Sequence, residues 1–217
     1  MFIITIDGLA ASGKSSISKN LAKILNFQHI DAGMFFRAVA FYLIDQKVKD
    51  EDILEVLEKN PPKLVFEDGK TYLFDKDVTD LLKSVEVTNL ASKLGAIELI
   101  KSHIYEIERS LVKNKNSIVS GRDTGKMVFP NADLKFFITA SLEKRAQRRF
   151  LDYLNQDGSM PYEEILDNLS KRDKYDVENK SLIIPKDAIE IDNSNDDLVE
   201  TIDYMLEIIR TKYKQKV

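Results

Sequence analysis

The chain contains no cysteine, which excludes disulfides and thiolate chemistry and removes the usual zinc ligands. It also has no surplus of positive charge: 32 Lys and Arg stand against 36 Asp and Glu, a formal net charge of −4. No global basic field therefore draws nucleic acid or an anionic membrane, and any bound anion must be held by local groups. No apolar run reaches membrane-spanning length. The first residues enter a strand-like run without the basic segment of a secretory signal. A soluble cytoplasmic protein is the expectation, with neither nucleic acid nor membrane as partner and with no second copy required. Internal repeats, low-complexity tracts and long flexible linkers are missing as well.

What remains is a core-forming composition of 217 residues, 43% hydrophobic and 31% charged. That suits one large domain or a core carrying insertions. "FIITID" (2–7) is a short apolar run rich in β-branched residues and reads as a buried strand. The spacing predicts a helix from Ser12 to Asn26, with Ile17, Leu21, Ile24 and Leu25 on its apolar face. Further helices are expected over 34–45 and 50–59, and helical spacing over about 79–115. Between them, "KLVFEDGKTYLF" (63–74) holds two β-type runs around Asp68-Gly69, a hairpin signal. "SIVSG" (117–121), "LKFFIT" (134–139) and "AIEID" (188–192) read as buried parallel strands, with helices at about 142–156, 161–175 and 196–214. Strand–helix alternation at both ends of a hairpin-bearing middle implies an α/β parallel sheet with an insertion. "LNQDGSMPY" (154–162) is the candidate hinge or lid.

Between the first strand and the first helix lies "GLAASGKSS", which fits G-x-x-x-x-G-K-[ST] with Gly8, Gly13, Lys14 and Ser15 at the fixed positions. A phosphate chain is polyanionic, and burying it requires many donors at close range. Glycines let successive N–H groups point inward, and the following helix offers unpaired N–H groups with partial positive charge. Gly8, Leu9, Ala10, Ala11, Ser12, Gly13, Lys14, Ser15 and Ser16 are the expected cradle for a nucleotide triphosphate. Lys14 bridges the outer phosphates in this reading, and the Ser15 hydroxyl ligates Mg²⁺. The fold class expected is therefore a P-loop NTPase-type three-layer α/β fold. The D-x-x-G and N-K-x-D strings of small GTPases occur nowhere in the chain, and a motor or transporter ATPase needs more length. A short chain of this kind with an inserted middle and a hinge-like late segment suggests a kinase for a small acceptor.

Basic groups recur near strand ends and near the hinge. "DAGMFFR" (31–37) places Asp31 and Arg37 at the sheet rim, where open α/β sheets bind ligands, and "SGRDTGKMVFP" (120–130) places Arg122 and Asp123 there too. "EKRAQRRF" (143–150) and "KRDKYD" (171–176) flank the hinge. Arg37 on an otherwise apolar helix start is hard to dismiss, but blander readings exist for the others. Arg145 and Arg149, four apart, could form an ordinary solvated helix face; Arg122-Asp123 could be a local ion pair. His29 and His103, the only histidines, read as structural, since phosphoryl transfer in a good positioning frame needs no general base. Phe35, Phe36, Phe41 and Tyr42 read as core or pocket wall.

Together these stretches resemble the bacterial cytidylate kinases, a family of nucleoside monophosphate kinases. The likeness runs in unbroken order from "ITIDG" through "FFRAVA", "DKDVTDLL", "NLASKLGAI", "SGRDTGKMVFPNADLKFFITAS" and "RAQRR" to "KRD" and "DAIEID". The "GRD-x-G-x-x-VFP-x-A" block and the inserted hairpin point to the long form of the family. The resemblance implies transfer of the ATP γ-phosphoryl group to CMP or dCMP, with Mg²⁺. It implies a core of 1–35, 116–150 and 176–217, a monophosphate-binding insertion of 36–115 and a lid of 151–175. By position, Arg37 and Arg122 would grip the acceptor phosphate, with Asp31 beside them. Ser92, Lys101 and Asp123 would face the cytosine, whose amino group wants an acceptor and whose ring nitrogen and carbonyl want donors. Arg172 and Asp176 would lie near sugar and phosphates, and Arg145 and Arg149 near the donor phosphates.

Three departures stand out. Ala32 replaces the serine of the family's "DSG", Lys101 stands where arginine is usual, and the arginine usual after Asp176 is missing, with Lys180 as its candidate substitute. The residues alone leave open another small-acceptor kinase (UMP, AMP or a non-nucleotide) and an ATP-gated interaction module without catalysis.

Overall fold

The structure is a computed structural model that describes residues 1–67, 70–154, 160–195 and 197–216. The elements run β1 (Ile3–Gly8), α1 (Lys14–Leu25), β2 (Gln28–Asp31), α2 (Ala32–Asp45), α3 (Ile53–Lys59), β3 (Leu64–Glu67), β4 (Lys70–Leu73) and β5 (Lys76–Asp77). They continue with α4 (Val85–Leu94), α5 (Glu98–Leu111), β6 (Ser117–Gly121), β7 (Leu134–Thr139), α6 (Leu142–Leu154), α7 (Tyr162–Glu178), β8 (Ile189–Asp192) and α8 (Leu198–Lys216). Short 3₁₀ turns cover Asp50–Asp52 and Leu81–Lys83, and a single π-helical turn covers Thr124–Val128. The expected turn at Asp68-Gly69 and residues 155–159 of the expected lid lie outside the described residues.

The chain divides into two compact units, one of 1–30 with 108–217 and one of 31–107. The first is built on a five-stranded sheet in the order β2-β6-β1-β7-β8. The pairs β1–β6, β1–β7 and β7–β8 run parallel, with Asp7 opposite Gly121 and Phe137, and Gly8 opposite Ile138. Central strands of a parallel sheet are covered on both faces, and β1, β6 and β7 are buried almost end to end. Ile4, Ile6, Phe136 and Ile138 pack with Ile17 and Leu21 of α1 and with Met205 and Ile209 of α8. This is the α/β parallel architecture expected. One detail differs: Ile24, expected on the apolar face of α1, is 51% exposed. Its neighbour Leu25 packs against the core instead.

The second unit carries the antiparallel sheet β3-β4-β5, with α2, α3, α4 and most of α5. The hairpin register pairs Leu64 with Leu73 and Phe66 with Thr71. Its third strand, β5, is two residues long and escapes a reading based on period. Phe35 is 2% exposed and stacks edge-on against Phe66, 4.1 Å between ring centroids. Tyr42 donates its hydroxyl to the Asn60 carbonyl at 2.9 Å. Both are core residues, as expected.

Candidate nucleotide-binding site

The glycine-rich stretch emerges at the carboxyl end of β1, as a parallel sheet requires of a ligand-binding turn. Gly8 is forced by close approach: a Cβ there would lie 2.3 Å from the Ile138 carbonyl oxygen. Ala11 (φ 58°) and Gly13 (φ 93°) are left-handed, so the loop coils tightly before α1 begins at Lys14. Lys14 donates from Nζ to the Leu9 carbonyl at 3.3 Å, across the mouth of this coil. The first turn of α1 has no acidic residue and no side-chain cap. The N–H groups and positive dipole end of this helix start therefore favour an anion. The helix begins two residues later than the spacing predicts, because Gly13 at this φ is not helical.

The two arginines on α6 divide. Arg145 is 3% exposed, donates to the Ala140 and Ala10 carbonyls at 3.0 and 3.3 Å, and forks onto Asp173 of α7 at 3.2 and 2.6 Å. It ties the helix pair α6–α7 to the loop from below, so it is no solvated face. Arg149 lies over the Tyr153 ring, 5.0 Å from its centroid. Between α6 and α7, Ala146, Ile165 and Leu169 form a small core that includes Ala10 of the loop.

At the end of β6 the structure brings Arg122, Arg172 and Asp176 together. Arg122 is ion-paired to the buried Asp176 carboxylate, and Arg172 approaches the same oxygen at 4.0 Å. Asp123, 8% exposed, leads into the π turn. That turn is pinned by Asp7 of β1, which accepts from the Thr124 amide (3.0 Å), the Thr124 hydroxyl (2.5 Å) and the Gly125 amide (2.8 Å). Asp7 is fully buried, and this burial pushes its carboxyl up to about 6 against the pull of the three hydrogen bonds. Gly125 has no room for a side chain, since a Cβ would sit 2.6 Å from Thr5 Oγ1. Neither Asp7 nor Asp173 was legible as a site residue, because each works through partners far away in the chain. Lys180 sits exposed in a left-handed turn after α7.

In the second unit Asp31 caps α2, accepting from the Gly33 amide at 2.9 Å, and pairs with Arg37 at 3.4 Å. Arg37 is thereby turned back along its own helix toward the helix start. Ser92 lies on α4; Lys101 on α5 is 5% exposed, 3.9 Å from Glu98 and over the Tyr105 ring. His29 meets Ser120 Oγ at 3.2 Å, and His103 is exposed on α5. Neither touches the loop residues described above through any of these bonds.

A parallel sheet whose first strand delivers a left-handed, glycine-bearing coil into an acid-free helix start defines a phosphate-loop nucleotide-binding protein. The sequence comparisons narrow that class. The profile of the cytidylate kinases matches residues 4–211. A cytidylate kinase of Flavobacterium johnsoniae is 38% identical over 97% of both chains, and that of Thermotoga neapolitana is 37% identical over 98% of this chain and 99% of the other. A Fusobacterium nucleatum cytidylate kinase is 35% identical over 94% of each. This chain belongs to the cytidylate kinase family. Among solved structures, proteins from Eubacterium ventriosum and Thermus thermophilus share the fold, with TM-scores of 0.53 and 0.51 at 15% and 14% identity, over 97% of this chain and 98% and 97% of theirs. No helix among the described residues is long and apolar enough to cross a membrane.

Proposed function

We propose that this protein transfers the γ-phosphoryl group of ATP to CMP or dCMP, giving the nucleoside diphosphate. The observation that carries this reading is the acid-free start of α1 behind the left-handed Gly13 in a chain of this family. The loop N–H groups and Lys14 would neutralise charge on the donor phosphates, a role that phosphoryl transfer demands of a positioning frame. Arg37 and Arg122 are assigned to the acceptor phosphate, Arg172 and Asp176 to sugar and phosphates, and Ser92, Lys101 and Asp123 to the cytosine. Arg145 and Arg149 are assigned to the donor side, Arg145 through its hold on the Ala10 carbonyl.

Magnesium suits the donor set. Among the described residues no group of three or more His, Cys, Asp or Glu could cage a metal. Ser15 presents one exposed hydroxyl at the start of α1, and Mg²⁺ takes oxygen ligands, keeps waters and accepts phosphate as its main anchor. Bound with ATP, the ion would supply charge neutralisation at the phosphates. Residues 151–175 are proposed as the lid that excludes water, so that ATP is not simply hydrolysed.

A coupled assay across CMP, dCMP, UMP and AMP tests the acceptor. Turnover with the cytidine nucleotides at least tenfold above the others is expected. Equal rates with AMP, or ATP consumption independent of any acceptor, would remove the cytidylate reading.

A further inference from the structure

The peptide between Ser12 and Gly13 is held from behind by two donors that the motif does not contain. Arg148 Nη1 donates to the Ser12 carbonyl at 3.1 Å, and Asn193 Nδ2 donates to the same oxygen at 2.8 Å. Arg148 Nη2 also donates to the Asn193 carbonyl at 2.5 Å, so the two donors are locked to each other. Asn193 is 5% exposed and anchored on its other sides. Its amide donates to the Thr139 carbonyl at 2.8 Å, and its Oδ1 accepts from the Thr201 hydroxyl at 3.2 Å. That second bond orients the side-chain amide with its NH₂ toward Ser12. Gly13 makes room for it: a Cβ at residue 13 would lie 2.4 Å from Asn193 Nδ2.

The peptide unit carries this restraint through the loop. All peptide bonds in the described chain are trans, and a planar trans peptide points its N–H opposite to its C=O. Fixing the Ser12 carbonyl toward Arg148 and Asn193 therefore fixes the Gly13 N–H in the opposite direction. The preference of a loop peptide to flip is otherwise large when a glycine follows. An anion cradle made of N–H groups works only if those groups are already aimed when the ligand arrives.

We propose that Asn193 and Arg148 are positioning residues that clamp the Ser12 carbonyl and so set the Gly13 N–H for the donor phosphate. This rests on the reading of the loop as the ATP site. Neither residue touches ATP in this account; both act through the peptide plane. Either donor alone still holds the carbonyl, so the loss of both exceeds the product of the single losses.

The test measures KM for ATP and for CMP, and ATP binding without acceptor, in Asn193→Ala, Arg148→Met and the double variant. Each single change should raise the ATP KM about three- to fivefold and the double change about thirtyfold or more, hydrogen bonds to a buried carbonyl being of that size. The CMP KM should stay within twofold, a split that general loosening of the fold would not produce. Lys14→Ala serves as the reference. If it weakens ATP binding while the double variant leaves it within twofold, the clamp is overturned and the donor reading stands. If it leaves ATP binding untouched, the donor reading falls and the clamp with it. Should the double variant fail to fold, Thr201→Val removes only the bond that orients the Asn193 amide. A two- to threefold rise in the ATP KM supports the clamp, and an unchanged value overturns it.

Discussion

The loop of residues 8–16 and the set of candidate acceptor residues are built in opposite ways. The loop is a backbone device: two left-handed residues, a helix start without a side-chain cap or an acid in its first turn, and a glycine jammed against a carbonyl. The acceptor candidates are side-chain devices, each arginine already matched to a carboxylate, Arg37 to Asp31 and Arg122 to Asp176. A backbone cradle is set at folding, here with the Ser12 carbonyl held by Arg148 and Asn193. Charged side chains paired to a carboxylate are held in place yet give up part of their charge until a phosphate competes for them. The contrast predicts that damage to the loop costs ATP binding and turnover, whereas damage to the side-chain set shifts selectivity and affinity for the acceptor.

The largest expected effect is at Lys14, whose side chain reaches back across the loop to the Leu9 carbonyl. Lys14→Ala should lower turnover about a hundred- to a thousandfold, with a thermal unfolding midpoint close to that of the parent. Near-normal turnover would remove Lys14 from the donor site. Next comes Gly13→Ala, which places a Cβ on Asn193 and forces φ 93° on a residue that resists it. It should cost about 2–3 kcal/mol of stability in a denaturant titration, more than any single acceptor change. For the side-chain set, Asp123→Ala should raise the CMP KM about tenfold or more while ATP binding, read by titration calorimetry, stays put. Equal losses for both ligands would take Asp123 out of the base site.

These contrasts also explain what could be read in advance. Strands β1, β6 and β7 and the helices on them follow from continuous apolar runs and helical period, and the loop follows from fixed glycine spacing. Backbone sites are local, so they leave a local pattern. The π turn over 124–128 did not show, because its conformation is dictated by Asp7, which lies on another strand. Nor did the burial of Arg145, since α6 alone cannot reveal that Asp173 and the Ala10 carbonyl wait for it. Asn193 sits in a plain turn after β8, and nothing in "DNSN" announces a partner in the loop.

Asp7 joins the two kinds of device, and its titration gives the smallest expected effect. Its folded value, about 6, lies above the ordinary 3.8. Between those values the folded chain keeps a proton that the unfolded chain has released. Asp7 therefore favours the fold at low pH, and that contribution fades as pH rises through 6. The full difference is about 3 kcal/mol, of which about 1.4 kcal/mol is lost between pH 5 and pH 7. Other carboxylates titrate in both chains, so denaturant stabilities of parent and Asp7→Asn are compared at the two pH values. The parent should lose more stability than the variant on going to pH 7. Parallel slopes would mean that Asp7 is already ionised throughout.

The central claim is that the loop delivers a phosphoryl group to a nucleotide and not to water. Phosphorus NMR of a mixture of ATP, Mg²⁺, CMP and the protein follows that group directly. The account predicts that ADP and CDP resonances grow together at the expense of ATP, with little inorganic phosphate. Inorganic phosphate rising with ADP while CMP stays unchanged would contradict it.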